Sequence, residues 1–140
     1  DKVTPGTIGG TYCGNAVACA SALALIKVME EEDYPAKARR ISDKVMAVWK
    51  TWQDKYDVVG DVRGLGCMMG IEFITDKASK APNTAIVNAI VDYAVQKGLL
   101  LENAGTFGNV IRFLAPLCIT DEQLDWGLAV YEEAIKACMK

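Results

Sequence analysis

The stretch VVGDVRGLGCMMGIEFI, Val58 to Ile74, is where the hydrophobic period of the chain changes. Two short β-type runs, Val58 to Arg63 and Cys67 to Ile74, flank Gly64-Leu65-Gly66, which predicts an antiparallel pair joined by a turn at those three residues. The GLGCMMG segment approaches a dinucleotide-binding fingerprint but misses its spacing by one position. A strand rather than a helix follows it, so that reading is set aside.

Upstream of this pair the period is helical. Residues 14–32 are Ala-rich and apolar and end in the acidic run Glu30-Glu31-Glu32-Asp33, which predicts a helix with a buried first half and a solvated end. Pro35 stands where a second helix would begin, because its missing N–H has no partner to lose there. Ala38, Ile41, Val45, Val48, Trp49 and Trp52 then form one amphipathic stripe, with Lys37, Arg39, Arg40, Lys44 and Lys50 largely on the solvated face. The two tryptophans are expected in the core.

Downstream, Asp76 to Asn83 is a polar loop, and Ile86, Val87, Ile90, Val91 and Ala94 give a helical stripe closed by Gly98. Leu99 to Glu102 and Val110 to Leu114 read as strands, with the turn-forming NAGTFGN loop between them. Thr120 and Gln123 predict a capping box for a last helix that turns Leu124, Leu128, Tyr131 and Ile135 inward. The order α-α-β-β-α-β-β-α implies an α+β fold with a small, mainly antiparallel sheet packed by helices.

The chain has 140 residues, enough for a core of its own. Hydrophobic residues make up 51% and charged residues 24%, a globular balance, and the net charge of −3 argues against general nucleic-acid binding. The apolar run from Ala16 to Ile26 is too short to span a bilayer. Five cysteines with no CxxC spacing suit small core residues in a reducing, cytoplasmic setting. The chain has no histidine, which removes Ser-His and Cys-His nucleophile pairs and histidine metal sites; no metal site is expected. The chain opens at Asp1 and runs directly into a Gly-rich loop, which suggests a piece of a longer protein.

Two places could carry chemistry. Gly9-Gly10-Thr11 precedes the Ala-rich helix, and consecutive N–H groups with a Thr hydroxyl near a helix start suit a phosphate. No Lys follows the glycines, so this is not a nucleoside-triphosphate loop; the alternative is a simple helix entry with Thr11 or Asn15 as cap. Arg112 interrupts the apolar strand Val110 to Leu114. Its planar fork fits a ligand carboxylate or, alternatively, an internal partner such as Glu72 or Glu102. Arg63, at a strand end beside Gly64, reads as structural.

Taken together, the run GGTYCGNAVACASALALI, the VRGLGCMMGIEF pair and NVIRFLAPLCITDEQLDWGL resemble segments of class III pyridoxal-phosphate aminotransferases, in the same order and over nearly the whole chain. The overall run is most similar to 4-aminobutyrate aminotransferases, with ornithine and acetylornithine enzymes sharing much of the pattern. Ala16 departs from the proline usual after the Gly-Asn pair.

The resemblance implies that residues 1–13 are a phosphate-loop lead-in and 14–140 the C-terminal small domain. It implies that Gly9, Gly10 and Thr11 bind the phosphate of pyridoxal 5'-phosphate, with Thr11 reaching the active site of a homodimer partner. It implies that Arg112 binds the α-carboxylate of an amino-acid or oxo-acid substrate, and that it can pair with a glutamate when that carboxylate is absent. The parent reaction would move an amino group from 4-aminobutyrate, or a similar ω-amino acid, to 2-oxoglutarate. The family's cofactor-binding lysine and pyridine-nitrogen aspartate match no position here, so no catalytic residue is assigned and the chain alone is expected to be inactive. A missing large domain is the implied partner; neither nucleic acid nor membrane is. The competing reading is a non-catalytic α+β module that grips a phosphorylated small ligand at Gly9 to Thr11.

Overall fold

The computed structural model describes residues 2–139, which group into two compact units that divide between Tyr34 and Pro35. In the first unit a turn-rich loop leads into α1 (Ala16–Glu31). Asn15 caps this helix, its side-chain oxygen accepting from the Ala18 N–H at 3.0 Å, so the helix begins two residues later than the Ala-rich composition suggests. At the other end the Glu32 N–H still reaches the Val28 carbonyl, and Asp33 takes φ 45°, which ends the helical run.

The first half of α1, expected to be buried against more than this one domain and so to show apolar surface in a piece of a longer protein, is exposed. Val17, Leu23, Leu25 and Ile26 are all more than half exposed, because a single helix and its lead-in loop contain no second layer to bury an apolar face.

The second unit contains α2 (Tyr34–Lys55), β1 (Val59–Leu65), β2 (Met68–Phe73), α3 (Thr84–Gln96), β3 (Glu102–Ala104), β4 (Val110–Phe113) and α4 (Asp121–Cys138). The four strands form one antiparallel sheet in the order β1-β2-β4-β3, as an α+β fold requires. Helix α2 starts at Tyr34, which leaves Pro35 in the first turn, where its missing N–H costs nothing. Its stripe is buried at Ile41, Val45, Trp49 and Trp52. The predicted capping box of α4 is present in both directions, between Thr120 and Gln123.

Two strand boundaries differ from expectation. The β1–β2 turn lies at Gly66-Cys67, since Leu65 pairs with Met68, and Gly64 is inside the ladder opposite Met69. Leu99 to Leu101 are not strand: β3 pairs with β4 only from Glu102 to Ala104.

One sheet face carries Met69, Ile71, Phe73 and Ile111 into a core shared with α2, α3 and α4. Trp49 is its centre, edge-on to Phe113 and Tyr131 at 6.1 and 6.2 Å between ring centroids, and Trp52 meets Tyr131 at 5.3 Å. Such pairs contribute about 0.5–1.5 kcal/mol each beyond their burial. The Tyr131 hydroxyl has no hydrogen-bond partner among the described residues, and burial raises its pKa well above the ordinary tyrosine range.

Part of the basic face of α2 is tied to α4 rather than solvated. Arg40 pairs with Asp121 and donates to the Ile119 carbonyl at 3.1 Å, and Lys44 meets Asp125 at 2.6 Å.

Glu132 of α4 joins Lys55 at 2.8 Å, the Tyr56 hydroxyl at 2.7 Å and Lys136 at 3.2 Å. Donation from Lys55, then from Tyr56, holds its carboxyl at about 2, well below the usual carboxylate range. A depressed folded-state pKa stabilises the fold above the unfolded value near 4.5, and that stabilisation is lost as pH falls toward 2. After allowance for solvent screening the loss is on the order of 1 kcal/mol. Urea unfolding at pH 6 and pH 3 should therefore show a smaller pH-dependent drop in Glu132→Gln than in the native sequence; equal drops would remove Glu132 from the acid response.

Candidate functional site

The Gly9–Thr11 segment precedes two successive turns, in which Cys13 N–H donates to the Gly10 carbonyl and Asn15 N–H to the Tyr12 carbonyl, both at 3.2 Å. The capping role falls to Asn15, so Thr11 does not cap α1. Among the described residues none accepts a hydrogen bond from the N–H groups of Gly9, Gly10 and Thr11 or from the Thr11 hydroxyl. All three residues are exposed.

Free N–H groups in series with a hydroxyl are the donor set that a phosphate monoester needs. Space matters as well. A Cβ on Gly9 would meet nothing within 4 Å, which leaves its backbone open to an anion, whereas a Cβ on Gly10 would meet the Cys13 Sγ at 2.4 Å. The loop therefore fits the phosphate of pyridoxal 5'-phosphate by chemistry and by room.

The second site is on β4, where the sheet borders a groove along α4. In β4 the two-residue period sends Ile111 and Phe113 toward the core, so Arg112 projects from the other face. Register places Arg63, Gly70, Arg112 and Glu102 in one line across all four strands, and Asp61, Glu72, Val110 and Ala104 in the adjacent line.

Arg112 donates through Nη2 to Glu102 Oε2 at 2.5 Å, which makes Glu102 its internal partner rather than Glu72. That glutamate is 63% exposed, so the pair is broken at small cost. Arg112 Nε is buried and has no partner among the described residues. Arg63 is held by Asp61 at 2.6 Å and Glu72 at 2.7 Å, and these two acids, Asp61 foremost, raise its pKa further.

A groove of about 690 Å³ includes Arg112 and Glu102 among its lining, with Leu101, Leu114, Trp126 and Tyr131 as apolar walls. A guanidinium beside such walls suits a carboxylate that carries an aliphatic body. The charged groups on this face are guanidinium and carboxylate, which bind and orient; none is a nucleophile paired with a base.

Asn109 is a polar residue that sequence reasoning treated only as part of a turn. It is 3% exposed, its amide donates to the Phe73 carbonyl at 3.0 Å, and the Phe73 N–H donates back to the Asn109 carbonyl at 2.8 Å. This reciprocal pair locks β2 to the start of β4. The available signal was that Gly105 and Gly108 already supply the turn, leaving Asn109 without a turn role.

Comparison with known proteins agrees with this architecture. The chain is 45% identical over 133 residues to the 5-aminovalerate aminotransferase DavT of Pseudomonas putida and 40% identical over 133 residues to the 4-aminobutyrate aminotransferase GabT of Escherichia coli. Each alignment covers 95% of this chain but 31% of the relative, so the chain spans about a third of the length of the curated relatives it matches. Its fold superimposes with a TM-score of 0.83 on a pyridoxal-phosphate-bound amine transaminase from an uncultivated Pseudomonas species, at 30% identity, over 94% of this chain and 30% of that one. The family profile described as Aminotransferase class-III matches residues 1–135. With the sequence, the fold and the order of its segments in agreement, the chain belongs to the class III aminotransferases.

Proposed function

We propose that this chain contributes the cofactor-phosphate loop and the substrate-carboxylate arginine of a pyridoxal-phosphate aminotransferase. That enzyme would move an amino group from 4-aminobutyrate or a similar ω-amino acid to 2-oxoglutarate. The observation that carries the reading is Arg112, a strand arginine lining a groove, with a displaceable, exposed partner and a buried Nε that no other described residue uses. The relatives named for 4-aminobutyrate and 5-aminovalerate support the class of amino donor.

When bound, pyridoxal phosphate supplies an electron-withdrawing ring that stabilises the negative charge left on carbon after proton loss from the substrate. The residues of this chain hold and orient. Gly9, Gly10 and Thr11 take the phosphate through backbone N–H groups and the Thr11 hydroxyl, and in a homodimer they serve the partner subunit's active site. Arg112 binds the α-carboxylate through its fork, which sets the orientation of the substrate amine. No residue of this chain is assigned the proton transfer. Residues 14–140 act as the small domain beside a large domain, in the cytoplasm, and the 140 residues alone are inactive. Among the described residues no helix is long and apolar enough to cross a membrane.

The test is an amino-transfer assay on the full-length enzyme carrying this chain, loaded with pyridoxal phosphate. It uses 2-oxoglutarate as acceptor and 4-aminobutyrate, 5-aminovalerate, ornithine and β-alanine as donors. Glutamate formation with 4-aminobutyrate or 5-aminovalerate is expected to exceed that with ornithine. Cofactor binding without glutamate formation from any of the four donors would overturn the reading.

A further inference from the structure

Glu72 lies on the central strand β2 with an arginine diagonal to it on each side. Gly70 is opposite both Arg63 on β1 and Arg112 on β4, and Glu72 is two residues further along the same face. Diagonal positions in an antiparallel sheet are about 7–8 Å apart, within reach of long side chains, so Glu72 can in principle serve either guanidinium. Gly70 has no side chain to separate them.

In the structure the choice is made. Glu72 Oε2 accepts from Arg63 Nη1 at 2.7 Å, and Glu72 Oε1 accepts from the buried Asn109 amide at 3.4 Å. Both carboxylate oxygens are thereby engaged away from Arg112, which is left with the more exposed Glu102.

We propose that Arg63 is a positioning residue for the Arg112 site: by holding Glu72, it keeps a second, less exposed carboxylate from occupying the guanidinium that a ligand carboxylate needs. This rests on the reading of Arg112 as the carboxylate seat. Without Arg63, Glu72 swings to its other diagonal neighbour, and a ligand must then displace two internal acids instead of one exposed one.

The test measures the apparent Kd of 2-oxoglutarate for the full-length enzyme loaded with pyridoxamine phosphate, the aminated cofactor that an amino acceptor meets, with circular dichroism confirming the fold of each variant. Arg63→Gln is expected to weaken binding about fivefold, the upper range for competition by one partly exposed ion pair. Adding Glu72→Gln should restore the native value to within about twofold, since the competing carboxylate is gone. Adding Asp61→Asn instead gives the same net charge but leaves Glu72 ionised, so it should not restore binding. That contrast separates pairing from the overall field of the face.

Unchanged affinity in Arg63→Gln, or equal rescue by Asp61→Asn and Glu72→Gln, would overturn the proposal. Arg112→Gln tests the underlying reading separately. If it leaves the affinity unchanged, the carboxylate seat itself is wrong and the role of Arg63 falls with it. If Arg112→Gln weakens binding while the Arg63 series is flat, only the role of Arg63 fails.

Discussion

Arg112→Ala in the full-length enzyme is expected to weaken 2-oxoglutarate binding by about 10- to 100-fold, the range for losing charge-assisted hydrogen bonds to a carboxylate. Pyridoxal phosphate binding should be retained, because the proposed phosphate donors are at Gly9 to Thr11. The fold should also be retained. The Arg112 side chain is 36% exposed and its partner Glu102 is 63% exposed, so the carboxylate released by the substitution is solvated rather than stranded. Titration with 2-oxoglutarate, alongside a cofactor absorbance spectrum, separates the two effects. Native affinity in the variant would show that the carboxylate is held elsewhere, whereas lost cofactor together with lost affinity would point to a structural role for Arg112.

Gly64→Ala is expected to lower unfolding stability by about 3 kcal/mol, the upper range for forcing extra atoms into a packed site. The reason is local. Gly64 is within the β1–β2 ladder opposite Met69, and a Cβ there would meet the Met68 carbonyl oxygen and the Met69 Cα, both at 2.6 Å. Those are backbone atoms of the partner strand, which cannot turn aside as a side chain can, so relief requires separating the strands. The displacement would also disturb Arg63, the preceding residue, and its contacts with Asp61 and Glu72. Urea denaturation of native and variant protein reads the effect, and a change below about 0.5 kcal/mol, ordinary for a surface substitution, would show that the hairpin accommodates the methyl group.

Much of the secondary structure was legible because its causes are local. The stripe from Ile41 to Trp52 and the Thr120–Gln123 box are set by neighbours within one helical turn, and the structure reproduces them. The β1–β2 pair was legible from its alternation, but its turn was misplaced by about two residues. Gly64-Leu65-Gly66 offers two glycines, and which one is used depends on the register of Leu65 against Met68. The start of β3 differs for a related reason: Leu99 to Leu101 have strand composition, yet composition does not decide where pairing with β4 begins, which is at Glu102.

Arg112 was legible as a candidate because a charged residue breaks an apolar strand, and Gly9 to Thr11 because glycines and a threonine precede an apolar helix. The partners of Arg112 were not. Glu72 and Glu102 both stood as possible partners, and nothing within a few residues of either distinguishes them.

By itself, then, the sequence determined the order of helices and strands, the caps, the aromatic core positions and the residues able to bind an anion. The tertiary structure decided which of those residues meet. Only the strand order β1-β2-β4-β3, which brings β2 against a strand reached through α3 and β3, places Arg63, Gly70, Arg112 and Glu102 in one line with Glu72 beside it. The physical reason is range. Caps and periodicity are interactions between residues a few positions apart, and the Arg63–Glu72 and Arg112–Glu102 pairs each form within one hairpin, whereas bringing those two pairs side by side depends on the long-range β2–β4 register and on the buried Asn109–Phe73 link.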